Sequence, residues 1–145
     1  MLFKAPDDLR TIIFQSMLRT MRYGAFRKIK FLCKVVLNEG LEVLGTDELT
    51  PNGDLYPGVF QESGLRDVKL PSTLKKIGRS TFAGCKNLKA VCLPEGLEYL
   101  GLDSFLGTGL ESVDFPASLK TISQGSFSHC ESLQTARFAE GLEVL

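Results

Sequence analysis

The chain has 145 residues, 43% of them hydrophobic and 23% charged, which is enough apolar material for one folded core and enough charge for a wetted surface. Lys and Arg number 17, as do Asp and Glu, so no whole-molecule field points to a nucleic acid or a membrane surface as a general partner. No apolar run approaches the roughly 18 residues that cross a bilayer, and Met1 to Phe3 followed by Lys4 and Pro6 to Asp8 does not read as a signal peptide.

From Leu9 onward the chain repeats one spacing. Units begin at Leu9, Leu32, Leu65, Leu88, Leu110 and Leu133, at intervals of 23, 33, 23, 22 and 23 residues. In each unit a second apolar position falls 12 residues on, at Met21, Leu44, Ile77, Leu100, Ile122 and Leu145. A phenylalanine column runs through Phe3, Phe26, Phe60, Phe82, Phe105 and Phe127, so even the first residues belong to the pattern. A fixed period of about 20 to 30 residues marks a solenoid. One coil buries too few side chains to offset its own ordering, so each must stack on its neighbours.

The leading segment of a unit, as in Leu65 to Leu70 or Leu110 to Phe115, is short, partly alternating and rich in strand formers. Pro71, Pro94 or Pro116 follows and ends it, having no amide hydrogen for a ladder. The second segment, such as Leu74 to Ile77 or Leu97 to Leu100, is often followed by glycine, at Gly45, Gly78 and Gly101. Met17 to Arg22 has a helix-like composition, but Leu18 and Met21 take the columns of Leu119 and Ile122 and are expected to follow the repeat. The predicted fold is a β-rich solenoid of parallel strands with little α-helix. It extends over residues 1–145 as one domain of about five full coils with partial coils at each end.

One interval breaks the period. Leu44 and Phe60 are 16 residues apart where the matching pairs elsewhere are 5 apart, so residues 46–56 form an insertion. Turn formers at Pro51 to Gly53 and acids at Asp47, Glu48 and Asp54 predict a projecting loop, with Tyr56 as its anchor. Insertions in repeats often mark a binding face, and they are also tolerated as plain surface loops. The spacing of these acids lacks the oxygen-ligand pattern of a calcium loop.

Stacking turns columns into surface stripes. Four residues after each leading leucine stand Ile13, Val36, Lys69, Cys92, Asp114 and Arg137, apolar at one end and charged at the other, a candidate partner-binding stripe. Six residues further along the coil the charges alternate in sign, Arg19, Glu42, Lys75, Glu98, Lys120 and Glu143, which predicts a ladder of ion pairs between coils. Residues 1–31 hold seven Lys and Arg against two Asp. The cluster from Arg22 to Lys30 mixes aromatics with basic residues, but Phe26 belongs to the core column, so a solvated basic turn is the first reading, an acidic partner the second and nucleic acid the last. Cys85 and Cys130 share a column two coils apart, roughly 10 Å at the usual strand spacing and beyond disulfide reach. Free thiols are expected, buried at Cys85 and Cys130, with no zinc site. The one histidine, His129, stands beside Cys130, where a core cysteine is a simpler reading than a nucleophile; no phosphate loop or other cofactor motif accompanies it.

The unit Leu110 to Ser132, with its leucine spacing, Pro116, Ser126 before Phe127, and Cys130 three residues later, resembles a BspA-like leucine-rich repeat. Leu88 to Phe105 and Leu65 to Cys85 match it too. Departures are Gln15, Asn38 and Ala139 at the proline column, and Pro6, Ile29 and Thr108 at the cysteine column. The resemblance implies a right-handed leucine-rich-repeat stack and a non-enzymatic protein-protein interaction module without cofactors, used for adhesion or surface recognition on secreted or cell-surface proteins. Unpaired cysteines favour a reducing compartment instead. On this reading the protein partner meets Ile13, Val36, Lys69, Asp114 and Arg137 on the strand face and Asp47, Glu48, Asp54 and Tyr56 on the loop. Neither terminus carries an evident cap, so the alternative is a structural segment of a longer repeat protein that stacks, or self-associates, through its open ends.

Overall fold

The computed structural model describes residues 9–15, 17–22 and 24–140. Its strands are two to four residues long, and no helix occurs among the described residues. The leading segments form β1 (Thr11–Ile13), β3 (Lys34–Val36), β5 (Asp67–Lys69), β8 (Ser112–Phe115) and β10 (Thr135–Phe138). The second segments form β2 (Thr20–Met21), β4 (Val43–Leu44), β6 (Lys76–Ile77), β7 (Tyr99–Leu100) and β9 (Thr121–Ile122). All pair in parallel, coil upon coil, as a solenoid requires. The stretch from Met17 to Arg22, helix-like in composition, supplies β2.

The columns of the sequence are the rungs of the ladders. The second-segment sheet is continuous in the order β2-β4-β6-β7-β9. At its entry the amide of Glu42 donates to Arg19, Lys75 to Glu42, Glu98 to Lys75 and Lys120 to Glu98, at 2.8 to 2.9 Å. The column that alternates in charge is thus a backbone ladder first. Its side chains close only at the last described step, Lys120 to Glu98 at 3.1 Å. The first-segment sheet is divided, β1-β3-β5 on one side and β8-β10 on the other. Between them Ala90 to Cys92 forms no strand, although a strand was expected there from the repeat. Ala90 stands in the column that carries Thr11, Lys34, Asp67, Ser112 and Thr135 elsewhere, and its amide makes no bond to the described residues of the preceding coil.

A tight turn joins the two segments of a coil. The amides of Leu74, Leu97 and Leu119 donate to the carbonyls of Pro71, Pro94 and Pro116 at 3.1 to 3.2 Å. Asn38 makes the same turn without a proline, its carbonyl accepting from Leu41 at 3.3 Å. Its side-chain amide adds a bond to the Leu18 carbonyl one coil back, at 3.0 Å. That extra bond explains how the proline column tolerates this departure.

The core is a set of one-residue columns. Leu32, Leu65, Leu88 and Leu110 are fully buried, as are Leu41, Leu74 and Leu97, and Leu44, Ile77 and Leu100. The phenyl rings stack face to face from Phe26 through Phe60, Phe82 and Phe105 to Phe127, with centroids 5.1 to 5.7 Å apart. Each such pair adds about 0.5 to 1.5 kcal/mol beyond the apolar area it buries.

The cysteine column is a polar seam beside that stack. Cys85 donates its thiol to the Phe60 carbonyl at 3.1 Å and meets the Ser63 hydroxyl at 3.5 Å. Cys130 repeats this two coils on, with the Phe105 carbonyl at 3.1 Å and Thr108 at 3.2 Å. Cys85 is buried, whereas Cys130 is half exposed, contrary to expectation, because no described coil covers it on its far side. Burial raises the Cys85 thiol from 9.0 to about 11, against weaker lowering by Ser63. The folded state therefore holds this proton where the unfolded chain releases it, and stability falls as pH rises from the ordinary thiol value to about 11. Cys85→Ser is expected to remove up to about 3 kcal/mol of that alkaline loss, read as the difference between the two proteins' urea midpoints at a series of pH values. Parallel curves for the two proteins would refute it.

Candidate partner-binding surfaces

The predicted stripe residues share the first-segment face, in two groups. Ile13, Val36 and Lys69 stand in register on β1, β3 and β5. Ile13 is 59% exposed, Val36 is half buried and Lys69 exposed. Asp114 and Arg137 stand in register on β8 and β10 and form an exposed ion pair at 3.1 Å. Exposed Cys92 lies in the unladdered segment that separates the groups. A second ion pair, Lys34 to Asp67 at 3.9 Å, ties β3 to β5 on the same face. At the far end Phe138 is 49% exposed and stacks on Phe115 at 4.7 Å.

The insertion belongs to the other sheet, and two of its three acids, Asp47 and Glu48, are paired. Asp47 accepts from the Arg79 amide at 2.8 Å and pairs with Lys76 at 3.4 Å. Lys76 also lies over the Tyr99 ring, 4.6 Å from its centroid. Glu48 pairs with Arg22 at 3.3 Å. These contacts fasten the base of the insertion to coils on both sides of it. Beyond the base the chain makes a small hairpin: Leu49 and Leu55 bridge antiparallel, the Gly53 amide donates to the Thr50 carbonyl at 2.8 Å, and the Asp54 amide donates to the Thr50 hydroxyl at 3.0 Å. Asp54 is exposed at its tip and Tyr56 is half buried at its return. Leu49 and Leu55 are 55% and 53% exposed. Sequence reasoning passed over both leucines, yet a signal was there, since they flank the turn and fill no column of the repeat.

The basic turn is partly neutralised in the same way. Arg22 is held by Glu48, Lys28 pairs with Glu62 at 3.8 Å, and Phe26 lies in the core. His129 has a backbone reason for its place. It has φ +57°, in a column of left-handed residues that includes Lys28, Glu62, Gly84 and Gly107, one per coil. A turn position and a thiol bonded to a backbone carbonyl are what the His129 and Cys130 pair consists of. Among the described residues no cluster of histidine, cysteine and carboxylates is spaced to hold a metal ion. Among the described residues no helix is long and apolar enough to cross a membrane.

Three solved structures show the same fold. The chain is similar to a leucine rich cell surface protein from Faecalibacterium prausnitzii A2-165, with TM-score 0.80, 24% identity, and coverage of 94% of this chain and 34% of that one. A leucine-rich repeat protein from Bacteroides ovatus ATCC 8483 gives TM-score 0.75 at 23% identity, over 88% of this chain and 33% of that one. The leucine rich repeat protein of T. pallidum gives TM-score 0.78 at 24% identity, over 89% of this chain and 58% of that one. The chain thus spans about a third of the length of the first two. No curated protein matches it. Residues 54–145, more than half of the chain, match the family described as BspA type Leucine rich repeat region, in 6 copies. Repeat spacing, stacked parallel coils and this match agree, and the chain belongs to the BspA-type leucine-rich-repeat family.

Proposed function

We propose that the chain is a non-catalytic protein-recognition module that meets its partner through the hairpin of residues 46–56 and the first-segment face. The observation that carries this reading is the Leu49 and Leu55 pair. One exposed leucine is ordinary on a protein surface. Two bridged across a turn whose base is fastened by Arg79, Lys76 and Arg22 form a pre-shaped apolar contact. Such a contact loses little freedom on docking, so more of its burial appears as affinity. Asp54 beside it sets polarity, and Tyr56 adds an aromatic of the kind enriched at interfaces. On the strand face Ile13 and Val36 supply an apolar patch, and Lys69, Asp114 and Arg137 supply charge that discriminates between partners. Adhesion or surface recognition fits the cell-surface protein of similar fold.

Peptides selected from a display library on the immobilised chain test the hairpin. Changing Leu49 and Leu55 together to Ser is expected to weaken the selected peptides at least about tenfold while leaving thermal stability within about 1 kcal/mol of the parent. Equal affinity for parent and variant would remove the hairpin from the contact surface.

A further inference from the structure

A third wall of the solenoid, the one that leads each coil into its first strand, is indented. The residue just before each leading leucine is Phe31, Gly64, Asn87, Gly109 or Ser132. At Gly64 a side chain is forbidden, since an added Cβ would lie 1.9 Å from the Lys30 carbonyl oxygen. The indentation is therefore built into the approach of the two coils. It forms a notch of about 360 Å³ lined by Lys30, Glu62, Gly64, Gly84, Lys86 and Asn87, with Ser63 at its floor.

The charge in this notch is unbalanced. The Glu62 carboxylate is taken by Lys28 at 3.8 Å, and the Glu62 carbonyl accepts from the Lys30 ammonium at 3.0 Å. That bond fixes Lys30 over the notch while leaving its charge without a carboxylate among the described residues. Exposed Lys86 enters from two coils away and also has no carboxylate partner among the described residues. Two coil spacings amount to roughly 10 Å, a gap within the combined reach of two lysine side chains and a carboxylate between them. Exposed Arg27 extends the positive field along the same turn. Asn87 adds an amide donor.

We infer that the notch over Gly64 seats an acidic segment of a partner protein, with one carboxylate held between Lys30 and Lys86 and its neighbours running past Arg27. The carboxylate takes ammonium donors from two coils at once, and the glycines at positions 64 and 84 leave its backbone room to lie close to the wall. The notch is on a different wall from the strand face and the hairpin, so its failure and the failure of those contacts are distinguishable.

Hexaglutamate titrated into the full isotope-labelled chain at low ionic strength tests this. Amide shifts are expected to centre on Gly64, Gly84 and Asn87, to fade with added salt, and to need at least about fivefold more peptide after Lys30→Gln with Lys86→Gln. Lys86→Gln alone, which leaves the Lys30 bond to Glu62 in place, is expected to weaken binding without altering the rest of the spectrum. Lys120→Gln on the second-segment face should leave binding unchanged. The proposal fails if the shifts centre elsewhere or if the lysine variants bind as the parent does. It also fails if inorganic phosphate produces the same shifts at the same concentrations, which would make the notch a simple anion site, or if a short RNA competes the peptide away, which would make it a nucleic-acid surface.

Discussion

Phe82→Ala is expected to destabilise the chain by about 3 to 5 kcal/mol. Phe82 is fully buried and stacks on Phe60 at 5.7 Å and on Phe105 at 5.1 Å. Truncating it removes two ring contacts as well as buried area, and the void cannot collapse easily because the backbone on either side is fixed by coil-to-coil hydrogen bonds. The Phe82 amide itself donates to the Ser104 carbonyl at 2.8 Å, and the Phe60 amide donates to Thr81 at 2.9 Å. A domain of ordinary stability has about 5 to 15 kcal/mol in total, so the variant is left marginal. Phe127→Ala, at a half-exposed ring with one face-to-face neighbour, should cost visibly less. Urea denaturation of the two variants beside the parent tests this, and equal losses would refute the ranking by burial and ring contacts.

Gly58→Ala is expected to be nearly as damaging, although it adds a single methyl group. A Cβ at residue 58 would lie 1.8 Å from the Ser80 carbonyl oxygen and 2.3 Å from its carbon. Those are backbone atoms of the next coil, so relief requires moving the coil rather than a side chain. The cost is put at about 3 kcal/mol or more, the upper range for overpacking. Gly58 also closes the insertion, its amide donating to the Gln61 side chain at 3.0 Å. The variant should therefore lose hydrogen-exchange protection from both the hairpin return and the coil that holds Ser80. A variant as stable as the parent would show that the coils separate with little cost at this point.

The architecture was legible because a solenoid writes its lattice directly into the chain. Leu65, Leu88 and Leu110 recur at intervals of 23 and 22 residues, and the same residues are buried together in the fold. What stayed hidden depended on contacts between unrelated columns. Asp47 and Glu48 read as free recognition acids because their partners, Arg79, Lys76 and Arg22, lie in other coils and nothing in the spacing links them. The opposite error concerned the alternating charges of Arg19, Glu42 and Lys75, whose side chains do not follow the ladder their backbones make. Long flexible side chains are held weakly on an exposed face, so their pairing is set by local packing rather than by register. The division of the first sheet at Ala90 was also invisible, because Val91 keeps its column and the repeat looks intact there.

That division gives the rod an uneven stiffness. One rail of hydrogen bonds, β2 to β9, runs unbroken along the described coils, while the other is cut between β5 and β8. The amides of Ala90, Val91 and Cys92 make no hydrogen bond to other described residues, while the Glu111 amide donates to the Lys89 carbonyl at 3.1 Å, so the coils are held by fewer ladder bonds on that side than on the other. The continuous rail then acts as the neutral line about which the stack flexes. Ile13, Val36 and Lys69 lie to one side of the flexure and Asp114 and Arg137 to the other, so a small change of curvature alters the spacing between the apolar and the charged parts of the face without disturbing the geometry inside either.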